Sequence, residues 1–245
     1  MPESIIKKLY GHSGCQVYLM QDNDKAFVRK IGNIERNLSK LKELQNEVNV
    51  PAIYASGDTF IDMEYVHGID LRQYLIEHDP DILLEFLIRL GKKFTTSTTH
   101  KNYTESVDNF LASINFECLP FTKQQLAAKL ELDLWSSNYH GDLTLENIIY
   151  SKNKFVLIDC STGIWDSWLF DLIKLRQDLD CHWFMRTNHA MIENKLTYLK
   201  GNLEKQWPEL NNDYLLILML LRVYRHCNLI EDANFILGKI KLLWK

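Results

Sequence analysis

The feature that most constrains the fold of this chain is a change in hydrophobic pattern near residue 66. Up to that point, short apolar runs with alternating character are separated by turn residues, which is typical of β-strands. A single helix is predicted among them over residues 34–48, where leucines recur at helical spacing and which Pro51 ends. The predicted strands cover residues 4–10, 15–20, 25–31 and 59–66.

Beyond residue 66 most apolar residues recur at helical spacing instead. A short β-rich insert over residues 138–158 interrupts this pattern and reads as a strand, a loop, a second strand over 147–150, a turn and a third strand over 155–158. We therefore predict an α+β fold with two lobes and a cleft between them, a β-rich lobe over residues 1–66 and a helical lobe over 67–245. Helices are predicted near residues 82–90, 123–134, 166–184, 196–207, 213–229 and 231–243.

Charge and cysteine content narrow the class of protein. The 28 basic and 32 acidic residues give a formal net charge of −4, which disfavours nucleic acid or an anionic membrane as the partner. The longest apolar run, residues 214–221, is far short of the roughly 20 residues that span a bilayer, so no membrane span and no secretory signal are predicted. Five scattered cysteines without metal-ligand spacing indicate reduced thiols in a cytoplasmic protein.

The segment that carries chemistry is His-Gly-Asp-Leu-Thr-Leu-Glu-Asn at residues 140–147, followed by a strand that ends at Asp159. Asp142 and Asn147 lie at the two ends of a loop between short strands, so both side chains can point into one concavity. The strand ending at Asp159 is predicted to pair with the one after Asn147, which brings a second carboxylate nearby. Carboxylate and amide oxygens suit Mg²⁺, and Asp142 remains able to accept a proton from an attacking hydroxyl.

His-Gly-Asp-(x)4-Asn with Ile-Asp twelve residues later resembles the signature of the aminoglycoside phosphotransferase and choline kinase superfamily, which are relatives of protein kinases. The stretch over residues 139–175 is especially similar to small kinases of bacterial surface-polysaccharide gene clusters. The resemblance implies the protein-kinase-like bilobal fold. It also implies that Asp142 is the catalytic base and that Asn147 and Asp159 hold the metal. In the same way it implies that His140 is a scaffold residue and that Asp171 braces the catalytic loop.

Weaker features of the N-terminal segment fit the same resemblance. Gly11 to Gly14, with Ser13 between them, resembles the glycine-rich loop whose backbone N–H groups approach phosphate oxygens, although alone it would be a plain hairpin turn. Val28 and Lys30 share one face of a strand, because side chains alternate with period two. The resemblance implies Val28 against adenine and the Lys30 ammonium on the α- and β-phosphates, while Arg29 on the opposite face is expected to be solvated.

Two further parts of a nucleotide site are implied by the resemblance. The strand lysine of kinases pairs with a helix glutamate, and Glu35, Glu43 and Glu47 are all available here; Glu43 is preferred on position. Residues 63–68 resemble the hinge between lobes, where backbone groups near Glu64 and Val66 would hydrogen-bond adenine. A plain edge strand would look similar.

The acceptor would bind beside Asp142, on the helical side. Aromatic faces suit a sugar or a choline-type cation, although tryptophan at helical spacing more often packs in a core. The candidate acceptor residues are Trp165, Asp166, Trp168, His182, Trp183 and Arg186.

Together these features predict an ATP- and Mg²⁺-dependent phosphotransferase that moves the γ-phosphoryl group to a hydroxyl of a small molecule, with a sugar of surface-polysaccharide assembly as the favoured acceptor. Asp159 is followed by Cys-Ser-Thr-Gly rather than Phe-Gly, and no Ala-Pro-Glu segment is present, which argues against a protein kinase. The alternatives are a choline, ethanolamine or aminoglycoside kinase, and a non-catalytic nucleotide-binding pseudokinase. The sequence leaves open the acceptor, the oligomeric state and the choice of ATP or GTP.

Overall fold

The computed structural model describes residues 4–9, 15–23, 25–96, 98–163, 165–184 and 190–245. The chain divides into two compact units, one formed by Met1–Tyr74 with Glu146–Gly163 and the other by Leu75–Leu145 with Ile164–Lys245. The first unit is β-rich and the second is mainly helical, as the change in hydrophobic pattern indicates. The predicted lobe boundary at residues 66 and 67 stays a prediction, and the compact β-rich unit extends past it to Tyr74.

The β-rich unit is built on a five-stranded antiparallel sheet with the strand order β1-β2-β3-β5-β4. Helix α1 (Glu35–Leu44) connects β3 to β4 and buries Leu41 and Leu44. The buried side chains of the sheet include Met20, Phe27 and Ile61, which form the apolar core that stabilises this unit. The strands are β1 (Ser4–Leu9), β2 (Gln16–Asp22), β3 (Lys25–Ile31), β4 (Ile53–Ser56) and β5 (Phe60–Glu64).

The expectation that Arg29 is solvated is wrong. Arg29 and Asp62 are direct partners across the β3–β5 pair, and the guanidinium binds both carboxylate oxygens at 2.7 and 2.6 Å. Only 22% of the Arg29 side chain is exposed. A bidentate cross-strand pair therefore occupies the face that the alternation assigned to solvent.

A second sheet in the β-rich unit has the order β10-β9-β6, with β6 at Ile69–Asp70, β9 at Ile148–Ser151 and β10 at Lys154–Leu157. Strands β9 and β10 form the hairpin that the sequence predicts, and its turn uses positive φ at Lys152 and Asn153. The hairpin fixes the positions of the residues just before β9 and just after β10. Helix α2 (Leu71–Glu77) follows β6 directly.

The helical unit has a hydrophobic core around helix α8 (Asp213–Tyr224). Seven consecutive residues of that helix, 215–221, are buried, and α8 packs against α6 (Trp168–Cys181) and α9 (Ile230–Leu243). None of the helices in the described part of the chain combines the length and the apolar character that crossing a membrane would need. In chain order, the α-helices of this unit in the described part of the chain are α3 (Asp81–Phe94), α4 (Thr104–Leu111), α5 (Lys123–Ala127), α6 (Trp168–Cys181), α7 (Ala190–Gln206), α8 (Asp213–Tyr224) and α9 (Ile230–Leu243).

The predicted helix over residues 123–134 is too long. Helix α5 begins with a capping box between Thr122 and Gln125 and ends at Ala127. Residues after it form strand β8 (Asp133–Ser136), which pairs antiparallel with β7 (Thr99–Asn102). The β7 segment is polar and exposed along its whole length, so its pairing depends on the tertiary fold and leaves no periodicity to detect.

Candidate active site

The loop that starts at His140 is attached to helix α6 by a buried carboxylate. Asp171, in the first turn of α6, accepts hydrogen bonds from the backbone N–H of His140, of Gly141 at 2.9 Å and of Leu143 at 3.4 Å. Burial raises the pKa of Asp171, although the charge of His140 and these hydrogen bonds act in the opposite direction. The loop backbone is therefore fixed by the side chain that the family resemblance implies as its brace.

A second carboxylate of α6 holds the end of the same loop. Asp178 accepts a hydrogen bond from the N–H of Leu145 at 2.7 Å, and its other oxygen accepts from the N–H of Phe184 at 3.0 Å. Asp171 and Asp178 are seven residues apart, so they lie on one face of the helix two turns apart. One helix thus positions both ends of the loop segment 140–145.

The shape of the loop depends on Gly141 and His140. Gly141 has φ +95°, a conformation that other residues rarely adopt. His140 is fully buried, and its Nδ1 accepts a hydrogen bond from the N–H of Asp142 at 3.3 Å. These local interactions turn the backbone immediately before Asp142.

Asp142 lies beside a lysine of α6. The Lys174 Nζ is 2.9 Å from Asp142 Oδ1, and 8% of the Lys174 side chain is exposed against 40% of that of Asp142. Burial would raise the pKa of Asp142, but the charges of Lys174 and Arg222 and the hydrogen bond from Lys174 outweigh it and lower the pKa below 3.8. Asp142 is therefore an ionised, partly accessible carboxylate.

Arg222, near the end of α8, is the second cation near Asp142. Its guanidinium lies over the Trp165 ring at 5.1 Å from the centroid, and one nitrogen is 3.6 Å from the Met219 sulfur. In the described part of the chain, no carboxylate lies within ion-pair distance of this guanidinium. Burial lowers the pKa of Arg222, and the charges of Asp142 and Asp171 act in the opposite direction from beyond ion-pair distance.

Sequence reasoning missed Lys174 and Arg222 as site residues. Asp171, Lys174 and Asp178 recur at i, i+3 and i+7, so their shared helix face is the signal that could have identified Lys174. Arg222 follows a run of buried apolar residues, and nothing in the local pattern separates it from a solvated helix end.

In the β-rich unit, Lys30 and Asp159 form a direct ion pair. The Lys30 Nζ lies 2.6 Å from Asp159 Oδ1, with 5% of the lysine side chain exposed and 41% of that of the aspartate. Asp159 adopts φ +56°, the left-handed conformation that non-glycine residues rarely take. Rare conformations of this kind concentrate at functional sites.

Asn147 and Asp159 lie at the same end of the β9–β10 hairpin. Ile148 pairs with Leu157, and the N–H of Ile158 donates to the carbonyl oxygen of Asn147 at 2.9 Å. Both predicted metal ligands therefore come from this one end of the hairpin. No cluster of three or more His, Cys, Asp or Glu side chains that could hold a metal occurs among the described residues.

Glu43 does not pair with Lys30. Its Oε1 accepts from Lys40 Nζ at 2.7 Å, while the Lys30 ammonium binds Asp159. The physical reason is the orientation of α1, whose buried face carries Asn37, Lys40, Leu41 and Leu44 and leaves Glu43 half exposed.

Helix α1 also holds the segment after Asp159. Asn37 Nδ2 donates to the carbonyl oxygen of Cys160 at 2.7 Å, and the N–H of Thr162 donates to the carbonyl oxygen of Arg36 at 3.1 Å. Burial, followed by the charge of Asp159, raises the pKa of the Cys160 thiol to about 12. Cys160 is therefore a buried packing residue, and none of the five cysteines of the chain forms a disulfide.

The remaining predicted nucleotide contacts are partly described. Val28 is half-buried in β3 opposite Met63 of β5. Glu64 ends β5 and exchanges hydrogen bonds with Ala52: its N–H donates to the Ala52 carbonyl oxygen at 2.8 Å, and its carboxylate accepts from the Ala52 N–H at 3.3 Å. Val66 lies in the irregular segment after β5. The predicted glycine-rich loop, with Gly11, Ser13 and Gly14, and the acceptor candidate Arg186 lie outside the described residues.

Most of the candidate acceptor residues serve the core of the helical unit. Trp165 and Trp168 are 7% and 3% exposed and pack against other rings, Phe170 and Phe94 among them. The Asp166 carboxylate is occupied, since Lys101 Nζ donates to it at 2.6 Å and the Tyr103 hydroxyl donates at 3.1 Å. His182 ends α6 in the left-handed conformation, and the ring of Trp183 contacts Phe235.

The contacts of Asp171 give a first prediction. Asp171→Ala is expected to lower the free energy of unfolding by about 3 kcal/mol, because buried backbone N–H groups of the loop lose their acceptor. Urea unfolding followed by circular dichroism measures this. Asp171→Asn keeps one carbonyl oxygen, so its free energy of unfolding should lie between those of the wild-type protein and Asp171→Ala. A loss below about 1 kcal/mol for Asp171→Ala would contradict the bracing role.

With this geometry in place, the structural comparisons identify the class of fold. The chain has the protein-kinase-like fold of the aminoglycoside phosphotransferases, with its β-rich N-terminal part and helical C-terminal part, so the fold that the sequence motifs predict is confirmed.

Particular solved structures match nearly the whole chain. A thermostable mutant of aminoglycoside phosphotransferase APH(4)-Ia without ligand has a TM-score of 0.67 at 10% identity, covering 98% of this chain and 94% of its own. A second mutant of that enzyme, in a ternary complex with ADP and hygromycin B, matches with a TM-score of 0.65 at 12% identity. The match covers 98% of this chain and 94% of the mutant's chain. A Haemophilus somnus 129PT protein assigned as a fructosamine-3-kinase matches with a TM-score of 0.63 at 15% identity. The match covers 100% of this chain and 92% of the other. By sequence alone, no family model and no curated protein matches the chain.

Proposed function

We propose that this protein is an ATP- and Mg²⁺-dependent phosphotransferase that moves the γ-phosphoryl group of ATP to a hydroxyl of a small molecule, a sugar or sugar derivative. The observation that carries the proposal is the ionised, partly accessible carboxylate of Asp142 on a loop that α6 holds in place. Phosphoryl transfer needs little covalent chemistry from the protein, so a positioned carboxylate is the group it most requires.

The helical unit activates the acceptor. Asp142 accepts a hydrogen bond from the attacking hydroxyl, aligns its oxygen with the γ-phosphorus and receives its proton as the new P–O bond forms. A carboxylate with a lowered pKa is a weak base, so its main effect is to orient the hydroxyl. Proton transfer is then completed late, when the hydroxyl has become acidic.

The β-rich unit holds the nucleotide. The Lys30 ammonium binds the α- and β-phosphates, and the backbone of residues 11–14 approaches their oxygens. Val28 packs against the adenine ring, and backbone groups near Glu64 and Val66 hydrogen-bond its edge. Support comes from the burial of Lys30 on β3, which leaves its ammonium at the exposed carboxylate of Asp159.

The oxygen donors of the β9–β10 hairpin fit Mg²⁺. Asp159 offers an exposed carboxylate and Asn147 an amide oxygen at the same hairpin end. Mg²⁺ commonly takes one or two protein oxygens and completes its octahedron with phosphate oxygens and water, so a cluster of three carboxylates is not required. When bound, the ion neutralises charge on the β- and γ-phosphates.

Two features support a small-molecule acceptor. The segment after Asp159 lacks the Phe-Gly and Ala-Pro-Glu elements of protein kinases. One structural neighbour, the APH(4)-Ia mutant, is described in complex with ADP and hygromycin B, which are a nucleotide and a small molecule. A choline, ethanolamine or aminoglycoside kinase and a nucleotide-binding pseudokinase remain the alternatives that the test must separate.

The test is ADP release from ATP and Mg²⁺, measured with and without members of an acceptor panel. The panel contains hexoses, heptoses, sugar phosphates, uronic acids, aminoglycosides, choline and ethanolamine. Acceptor-stimulated ADP release with a sugar or sugar derivative supports the proposal. Stimulation by choline or ethanolamine alone would change the acceptor class, and nucleotide binding without any ADP release would favour the pseudokinase.

The Lys174–Asp142 pair predicts a change in pH dependence. Lys174→Gln removes the nearest charge that lowers the pKa of Asp142, so that pKa should rise and the acid limb of kcat/KM should move to higher pH. We expect kcat to fall about tenfold as well, because the carboxylate loses its orienting partner.

The control for this prediction is Lys174→Arg, which keeps a positive charge and should retain an acid limb close to that of the wild-type protein. The measurement is kcat/KM as a function of pH for the three proteins. An acid limb that does not move in Lys174→Gln would contradict the electrostatic role of Lys174.

A further inference from the structure

Two cations and two carboxylates lie near one another in this part of the helical unit, namely Lys174 and Arg222 with Asp142 and Asp171, but they are not paired one to one. Lys174 and Arg222 both act on Asp142, and only Lys174 forms the ion pair with it. The other nearby carboxylate, Asp171, is 2% exposed and is directed at the loop backbone. Lys174 is therefore directly paired. Arg222 has no carboxylate within ion-pair distance among the described residues, and the charges of Asp142 and Asp171 act on it only from farther away.

The side chains in direct contact with the Arg222 guanidinium are neutral, and the carboxylates of Asp142 and Asp171 act on it through their charges without forming an ion pair. Trp165 supplies a ring face and Met219 a sulfur atom. On the chain after α8, Arg225 adds a further positive charge and donates to the Ser113 hydroxyl at 3.4 Å. Burial, and then the charges of Arg225, Arg222 and Lys174, lower the pKa of His226.

An arginine held against an aromatic face keeps its planar donor edge available for an anion. Guanidinium groups bind phosphate and carboxylate through two parallel hydrogen bonds, which makes them selective for these groups. A cationic amine placed beside Arg222 and Lys174 would instead meet like charges. The Arg222 guanidinium, which has no carboxylate within ion-pair distance among the described residues, thus favours an anionic acceptor among the classes that the fold alone leaves open.

We infer that the acceptor is an anionic sugar, a sugar phosphate or a sugar acid, whose negative group is bound by Arg222 while its hydroxyl lies at Asp142. This inference rests on the proposed function and specifies the substrate class of the same site. Arg222 acts here as a specificity residue that contacts the acceptor. Choline, ethanolamine and aminoglycosides are excluded as the preferred acceptors.

The first experiment measures turnover with hexoses that differ in charge: an unmodified hexose, its 2-amino derivative, its uronic acid and its phosphate. The phosphate or the uronate should have the highest kcat/KM. In Arg222→Gln, the ratio of kcat/KM for the anionic over the unmodified hexose should fall about thirtyfold, with partial recovery in Arg222→Lys. Arg89→Gln, on the exposed face of α3, is the matched control and should keep the wild-type ratio.

A second experiment does not depend on turnover. Hexose phosphate and uronate are titrated into the nucleotide-free protein by isothermal calorimetry, and Arg222→Gln should weaken the binding of the preferred anion at least about tenfold while Arg89→Gln does not. Equal binding of the anions by wild type and Arg222→Gln, or a preference for the amino or unmodified sugar, would overturn the inference.

The two experiments separate the inference from the proposed function. If an unmodified or amino sugar is turned over and Arg222→Gln keeps the wild-type charge preference, the inference is contradicted. The proposed phosphotransferase activity is then still supported. Arg222-dependent binding of an anionic sugar without ADP release supports the anion site and contradicts the proposed function.

Discussion

Replacing Asp142 with asparagine is expected to lower kcat about 10³-fold while the affinity for ATP changes little. The amide keeps the size of the side chain and one hydrogen-bond acceptor, but it cannot take the proton of the attacking hydroxyl. Nucleotide affinity should persist because Lys30, Asp159 and Asn147 belong to the other compact unit. The measurements are single-turnover transfer from ATP and calorimetric binding of a non-hydrolysable ATP analogue.

The control for this substitution is Glu85→Gln, which removes a carboxylate from the exposed surface of α3 in the same unit. It should keep wild-type kcat. Because Lys174 loses its partner in Asp142→Asn, thermal unfolding of the variant is recorded alongside, so that a folding defect is separated from a catalytic one. A kcat within about tenfold of wild type in a folded Asp142→Asn protein would remove Asp142 from its catalytic role.

Replacing Asp159 with asparagine is expected to lower kcat/KM for ATP about 10³-fold, and more steeply at low Mg²⁺ concentration. The substitution removes the charged oxygen donor for the ion, and it also removes the partner of the Lys30 ammonium at 2.6 Å. Rates measured across a Mg²⁺ titration test this. The concentration of Mg²⁺ that gives half-maximal activity should rise along with the loss of rate.

Asp58→Asn, in an exposed turn of the same unit, is the matched control and should leave the Mg²⁺ dependence unchanged. A uniform loss of rate with an unaltered Mg²⁺ dependence in Asp159→Asn would indicate that this carboxylate serves only as the partner of Lys30. Activity near that of the wild-type protein would contradict its place in the site altogether.

The local sequence is sufficient to predict the features that depend on near neighbours. The strand over residues 25–31 agrees with β3 at both ends, and the β9–β10 hairpin follows from two apolar runs around a four-residue turn. The loop after His140 was recognisable because the chemistry of its residues occurs at fixed spacing. The resemblance of those motifs to the aminoglycoside phosphotransferase and choline kinase superfamily implies the protein-kinase-like fold, and the structural comparisons confirm it.

Features that depend on tertiary orientation could not be predicted. Position along the chain favours Glu43 as the partner of Lys30, but the rotation of α1 buries Lys40 and leaves Glu43 near the surface. Strand alternation predicts that Arg29 faces solvent, yet its guanidinium pairs with Asp62 on the neighbouring strand. Arg222 and Asp142 are 80 residues apart, so no periodicity connects them.

The most direct test of the central claim is ³¹P NMR of a reaction that contains the protein, ATP, Mg²⁺ and the acceptor selected by the panel. A phosphomonoester resonance is expected to grow at the same rate as the resonances of ADP, and to be absent with Asp142→Asn. Inorganic phosphate as the only product beside ADP, or a monoester formed equally by the variant, would contradict phosphoryl transfer to a hydroxyl oriented by Asp142.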